Sequence, residues 1–148
     1  MTLKFLGHIG RQTLDPLAAA LKECCAPFAP FTFVIEGKGA FGNVRNPRVL
    51  WLGTGEGKDP LCDLAKAIDL RLETAGFERE RRTFSPHLTL GRVRSMKNMP
   101  ATMERLDKTP FEPLKVMVDE VRLMQSRLYP EGAVYQILNS FQLQGQYK

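Results

Sequence analysis

The sequence predicts an α+β fold, and three observations carry that prediction. Two amphipathic segments, each opened by an Asp-Pro-Leu triplet (Asp15-Pro16-Leu17 and Asp59-Pro60-Leu61), are separated by runs whose hydrophobicity alternates with period two. Short turns join the later strands, most clearly Tyr129-Pro130-Glu131-Gly132, and short turns imply antiparallel pairing. The order of elements also repeats: Thr2-Leu3-Lys4-Phe5-Leu6 precedes a helix and then strands, and so does Thr89-Leu90-Gly91-Arg92-Val93. The repetition suggests two related lobes within one domain spanning residues 1–148. A chain of this length hides about 68–70% of its unfolded surface, enough to fold without a disulfide or a metal.

Each element has its own signal. The first helix places Asp15 as N-cap and Pro16 at the first helical position, where a missing N–H is harmless. Leu17, Ala20, Leu21 and Cys24 then recur at helical spacing. Phe31, Phe33 and Ile35 alternate with Thr32, Val34 and Glu36 as a half-buried strand, and Arg48 to Gly53 is a β-branched and aromatic run around Trp51. The second helix repeats the capping device at Asp59 and Pro60, carries Leu61, Leu64, Ala65, Ile68 and Leu72, and stops at Gly76. Ser85 to Arg94 alternates, and a shorter helix near Pro100 buries Met103 and Leu106. Leu114–Val118 follows as a strand. After a phase slip at Asp119-Glu120, Val121–Leu128 and Ala133–Leu143 form the last pair.

Composition excludes several classes. With 43% hydrophobic and 25% charged residues the chain is ordinary globular material, neither disordered nor fibrous. No apolar run approaches the ~18 residues of a membrane span. The start has no apolar stretch or cleavage site of a signal peptide. The three cysteines, Cys24, Cys25 and Cys62, form no C-x-x-C pair, and the odd count suits a reducing compartment. These features place the chain in the cytoplasm with no membrane partner.

Charge is more informative. The net charge is +5, and the window from Arg79 to Lys97, with Arg79, Arg81, Arg82, Arg92, Arg94 and Lys97 against Glu80, carries the whole of it. A local basic patch favours a polyanion such as nucleic acid or a phosphorylated metabolite. The alternative is a solvated surface.

Two motifs can be set aside. Gly53-Thr54-Gly55-Glu56-Gly57-Lys58-Asp59 lies where a phosphate loop lies, between strand and helix. A P-loop needs Gly at the place of Leu52 and a hydroxyl at the place of Asp59. Without the hydroxyl there is no Mg²⁺ ligand, and an Asp repels phosphate. Two His and three Cys show no paired zinc spacing, and Cys24-Cys25 at a helix end is core packing. No metal or cofactor is expected.

The segment with chemistry is Phe84-Ser85-Pro86-His87-Leu88-Thr89-Leu90-Gly91-Arg92-Val93-Arg94. On a strand, His87 and Thr89 share a face, about 6.6 Å apart along the chain. An imidazole beside a hydroxyl and near arginines can hold a phosphate and move a proton on or off it. The simpler alternative is a half-exposed strand whose His makes one hydrogen bond. Strict alternation puts Arg92 on the opposite face, and a bulge at Gly91 would bring it round.

Pro86-His87-Leu88-Thr89-Leu90-Gly91-Arg92-Val93 resembles the second signature of the 2H phosphoesterases, in the branch of RNA 2′,3′-cyclic phosphodiesterases long called 2′–5′ RNA ligases. Thr2-Leu3-Lys4-Phe5-Leu6-Gly7 resembles the remainder of the first signature, H-x-T-L-K-F-L-G. Gly39-Ala40-Phe41, Pro47-Arg48-Val49-Leu50-Trp51, Ser126-Arg127-Leu128 and Gly132-Ala133-Val134-Tyr135 match in order over essentially the whole chain. The resemblance implies two lobes in a pseudo-twofold arrangement, with antiparallel sheets flanked by helices and one H-x-T strand from each lobe facing a central cleft. It also implies opening of RNA 2′,3′-cyclic phosphate ends to a 2′-phosphate, with 2′–5′ ligation in some members, and no need for metal or ATP. By matching, His87 is an acid or base, with water activation preferred. Thr89 and Thr2 bind phosphate oxygens, and Arg92 neutralises charge.

The sequence departs from the pattern at one place. Aligned on Thr2, the first signature's His falls one residue before Met1, and the strand and helix that usually lead the family are missing. His8 cannot substitute, lying roughly 20 Å along the strand from Thr2. The expectation is an N-terminally shortened chain from a misassigned start, impaired in turnover, whose orphaned strand edge favours self-association. The rival reading is a one-histidine protein that grips RNA ends or cyclic phosphates without turnover. A third is an enzyme of the same fold acting on a small cyclic nucleotide.

Overall fold

The computed structural model of the chain describes residues 1–43 and 46–146. After a 3-10 turn at Arg11–Thr13 come α1 (Leu14–Cys25), β1 (Phe31–Asn43), β2 (Asn46–Thr54) and α2 (Lys58–Thr74). Then follow β3 (Leu88–Arg92), α3 (Met99–Lys108), β4 (Leu114–Val118), β5 (Glu120–Tyr129) and β6 (Gly132–Gln142). One sheet runs β3-β2-β1-β4, and β5 pairs with β6 alone. β1–β2, β2–β3 and β5–β6 are all antiparallel. This is the α+β class predicted.

The chain divides into two compact units. The first comprises Thr32–Leu61 and Ser85–Val116 with Met1; the second comprises Thr2–Phe31, Cys62–Phe84 and the chain from Met117 onward. In the first unit, the predicted alternation buries Phe33 and Ile35 on β1, together with Pro47 and Leu52 on β2 and Met99 at the start of α3. Met103 and Leu106, expected to be buried, are only half covered. Lys38 caps α3: its ammonium donates to the carbonyls of Leu106, Asp107 and Thr109 at 2.8, 2.7 and 2.7 Å. These are carbonyls that a helix C-terminus leaves without intrahelical partners, at its negative end.

In the second unit, α1 packs on β5 and β6 through Leu17, Ala20, Leu21 and Cys25, which meet a core that includes Leu123, Phe141 and Leu143. Burial pushes the Cys25 thiol up to about 12, with neighbouring Cys24 adding to the effect, so this sulfur packs as a hydrophobe. α2 contributes Leu64, Ala65, Ile68 and Leu72. It ends in a Schellman motif: Phe77 N–H donates to Leu72 O and Gly76 N–H to Glu73 O, both at 3.0 Å. Gly76 stands at φ +88°, where a side chain would be strained, so its role as a stop signal has a backbone cause. Past a bulge at Leu138 the β5–β6 hairpin is open to solvent, with Leu128 84% and Tyr135 66% exposed.

The helix starts differ from expectation. α1 begins at Leu14 behind Thr13, because the preceding 3-10 turn has already wound the chain, so Asp15 and Pro16 lie inside the first turn. α2 likewise begins two residues before the expected Pro60, at Lys58. The devices still work there: the first four N–H groups lack partners, so Pro16 and Pro60 forfeit nothing, and each Asp faces the positive helix end.

Two predicted strands are shorter or absent. Among the described residues, none from Met1 to Gly10 belongs to a strand. Leu3 and Leu6 tuck inward while Phe5 stays 78% exposed, and Lys4 ties the segment to Asp69. The strand expected from Ser85 to Arg94 narrows to Leu88–Arg92, since Pro86 has no N–H to offer a ladder.

Candidate active site

The site is built on the edge of the first unit's sheet. β3 is the edge strand, paired to β2 with Leu52 opposite Leu88, Trp51 opposite Thr89, Leu50 opposite Gly91 and Val49 opposite Arg92. Leu90 is left over, so β3 carries a bulge. Cross-strand partners share a face, and Trp51 and Val49 are two residues apart on β2. Thr89 and Arg92 therefore face the same way. The conflict between alternation and family matching resolves in favour of the bulge, one residue earlier than Gly91. On β1, Gly39 is opposite Trp51 and Phe41 opposite Val49, so both join that face.

His87 stands just before β3 and is half-buried. Its Nδ1 lies 2.7 Å from the carbonyl oxygen of Ser85. A carbonyl can only accept, so Nδ1 carries the proton and, in the neutral ring, Nε2 is the bare nitrogen. The imidazole meets the Phe41 ring perpendicularly at 4.7 Å between centroids, and Phe41 meets Trp51 at 5.4 Å and 41°. The contact with Phe41 puts His87 on the face of Thr89 and Arg92.

The three rings border a depression of about 600 Å³ that also includes Glu36, Thr54, Lys58 and Pro86. Thr54 Oγ donates to Pro86 O at 3.4 Å, supporting the backbone that carries His87. The Gly-rich loop after β2 is no phosphate cradle: the Glu36 carboxylate folds over Gly55, where a Cβ would overlap it, and a carboxylate repels phosphate.

Of the residues singled out in the sequence, His87, Thr89 and Arg92 are brought together, the last two exposed. Thr2 belongs to the other compact unit, on the unpaired leading segment, and is exposed. The basic window is split in the same way. Arg79, Arg81 and Arg82 are in the second unit and Arg92, Arg94 and Lys97 in the first. Arg79 pairs with Asp69 at 3.7 Å and Glu73 at 3.9 Å, and Arg81 with Glu78 at 3.0 Å. These acids, all outside the counted window, offset part of its charge. Among the described residues, no three His, Cys, Asp or Glu side chains gather as metal ligands, and no helix is long and apolar enough to cross a membrane.

Comparison with known proteins decides the family. The family model of the 2′–5′ RNA ligase superfamily matches residues 1–129. The chain belongs to this superfamily. An RNA 2′,3′-cyclic phosphodiesterase of Thermotoga maritima is 36% identical over 146 residues, covering 98% of this chain and 75% of the relative. Its counterpart in Archaeoglobus fulgidus is 37% identical over 143 residues, covering 96% and 78%. Among solved structures, TT0787 of Thermus thermophilus superposes with a TM-score of 0.76 at 26% identity, covering 99% of this chain and 78% of that one. E. coli LigT complexed with 3′-AMP shares the fold, with a TM-score of 0.71 at 23% identity over 96% of this chain and 75% of its own.

Within this superfamily frame, Phe41 and Trp51 stand out as site residues that chemistry read from sequence did not assign. Both fell inside matched segments, yet nothing in the sequence said that Gly39 stands opposite Trp51 or that Phe41 reaches His87. Register made those neighbours.

Proposed function

We propose that this chain opens RNA 2′,3′-cyclic phosphate ends to a 2′-phosphate without a metal. The observation that supports this reading is the β3 bulge, which sets Arg92 on the face of Thr89 and His87. One surface thereby offers a cation and a hydroxyl for phosphate oxygens, beside an imidazole whose bare Nε2 can take a proton. In the reaction a water oxygen, relieved of its proton by His87, attacks phosphorus. The P–O3′ bond breaks, and the 3′ oxygen leaves as an alcohol with a proton taken from solvent water, whose hydroxide recovers the proton held by His87. Thr89 and Arg92 hold the charge that builds on the phosphoryl oxygens, and Thr2 is proposed as a second hydroxyl for them. The same displacement with a 5′ hydroxyl in place of water forms a 2′–5′ linkage.

A second reading has its own observation. A hydroxyl, a guanidinium and an imidazole on one face also suffice to hold a cyclic phosphate without moving a proton. In that reading the chain binds cyclic-phosphate RNA ends with little or no turnover. The test is a short RNA ending in a 2′,3′-cyclic phosphate, incubated with the protein in EDTA, with products resolved as 2′- or 3′-phosphate. The expected result is a 2′-phosphate, lost by about 10²–10⁴ in His87→Ala. Turnover unchanged in His87→Ala refutes the assignment, and tight binding with no product promotes the binding reading. A mononucleoside cyclic phosphate run in parallel separates an RNA-directed enzyme from one acting on small cyclic nucleotides.

A further inference from the structure

Phe41 is a large apolar ring that the fold leaves 36% exposed, so core burial does not account for it. It meets the His87 ring edge to face and the Trp51 indole at a tilt. The indole is itself seated. Its six-membered ring lies over Gly39, the cross-strand partner, so closely that a Cβ there would stand 2.5 Å from ring carbons. A Cβ on Gly53 would stand 3.1 Å from the same ring. The Trp51 N–H is buried without a hydrogen-bond partner among the described residues.

The stack therefore runs from glycine backbone to indole, to phenyl, to imidazole. His87 needs it. The torsion that spins an imidazole about its Cβ–Cγ bond has broad, shallow wells, and one hydrogen bond to Ser85 O at 2.7 Å does not by itself fix the ring plane. A perpendicular aromatic neighbour at 4.7 Å supplies the second constraint, in the arrangement that ring quadrupoles favour.

We propose that Phe41, braced by Trp51 on Gly39, is the positioning residue that holds the His87 imidazole with Nδ1–H on Ser85 O and Nε2 free toward substrate. The inference rests on the proposed chemistry at His87, but its test does not. The chain has two histidines, so an imidazole nitrogen–proton correlation spectrum of the full protein contains His87 and one internal reference, His8. In the parent, His87 shows the Nδ1–H form in its neutral state. In Phe41→Leu that signature averages toward the mixture of an unrestrained imidazole, and kcat for the cyclic-phosphate RNA falls about 3–10-fold, the worth of one aromatic pair, with KM nearly unchanged. Phe41→Tyr keeps the ring and restores both. Gly39→Ala, which displaces the indole from below, reproduces the Phe41→Leu spectrum without touching Phe41 or His87. A Phe41→Leu protein with the parent His87 spectrum and the parent kcat overturns the proposal. If no variant or parent turns RNA over, the proposed function falls, while the spectra alone still decide whether Phe41 sets the ring.

Discussion

Two segments of this chain carry the same Thr-Leu signature, and only one of them is a strand. Leu88–Arg92 lies in a sheet, in register with β2, bulged at Leu90, with His87 held between a carbonyl and a phenyl ring. Thr2–Gly7 has no ladder at all; among the described residues its tie is the Lys4 ammonium, on Asp69 and on Glu78 O at 2.8 Å. Local sequence supplies β propensity in both. Pairing partners decide which becomes a strand, because strand preference is mostly a preference for what neighbours a pleated surface. The difference teaches that a catalytic signature is a list of side chains, and that hydrogen-bond partners convert it into geometry.

The comparison breaks most directly at the bulge. Arg92→Ala should lower turnover by about 10²-fold even on the shortest cyclic-phosphate substrate, as removal of one preorganised charge donor does. Deleting Leu90 should do the opposite. It removes the extra residue and leaves Thr89 and Arg92 two positions apart, so simple alternation keeps both on one face and turnover should stay near the parent rate. Deleting Gly91 as well sets Arg92 next to Thr89 on the opposite face, and should cost about as much as Arg92→Ala. Parent rates in that double deletion, in a protein with the parent melting temperature, would show that Arg92 need not share the face of Thr89.

How much of this was legible before the structure depends on the kind of signal. Phe31, Phe33 and Ile35 announced a strand because their alternation is a local property, and Gly76 announced a helix stop because its backbone angle is one too. His87 and Thr89 were legible for a similar reason: their chemistry resides in their own side chains. Both helix starts lie two residues ahead of the expected Pro16 and Pro60; at α1 a 3-10 turn at Arg11–Thr13, which leaves no hydrophobic pattern, has already begun the winding. Phe41 and Trp51 were not assigned because their roles come from register with Gly39 and from contact across strands, which no single segment encodes. The Leu90 bulge is intermediate. A glycine in a strand interior signalled an irregularity, but the pairing with β2 put the extra residue one position earlier.

A milder test concerns the other segment. Asp69 is drawn two ways: burial raises its pKa, while hydrogen bonds from Lys4 and from the Glu80 backbone N–H, with the charges of Lys4 and Arg79, lower it by more. The net result is a carboxylate held below its ordinary value. Such a group stabilises the fold above its unfolded pKa, about 3.9, and the contribution fades as pH falls through the lower folded value. Asp69→Asn and Lys4→Met should each cost about 1–3 kcal/mol at neutral pH, and the deficit of Asp69→Asn should shrink steadily in melts taken below about pH 4. Amide exchange should quicken over Thr2–Gly7 in both variants and stay unchanged over Leu88–Arg92. Equal quickening in both segments would show that the ion pair supports the whole fold and not the leading segment.

The smallest expected effect discriminates between halves of the basic window. Arg79 and Arg81 already face Asp69, Glu73 and Glu78, whereas Arg82, Arg94 and Lys97 show no ion pair among the described residues. A cation committed to an acid releases few counterions when RNA arrives, because its charge is already offset. A free one contributes about 0.7 to the slope of log affinity against log salt for each single-strand phosphate it neutralises. Replacing Arg94 and Lys97 by Gln should therefore flatten the slope for a cyclic-phosphate RNA oligonucleotide, titrated between about 50 and 200 mM salt. The same change at Arg79 and Arg81 should move it less. If the paired arginines prove to carry the larger slope, RNA must displace their acids on binding, and the RNA path then crosses the second unit and not the strand that follows His87. If neither pair moves the slope, the basic window is a solvated surface, and recognition of the substrate is confined to the phosphate held by Thr89 and Arg92.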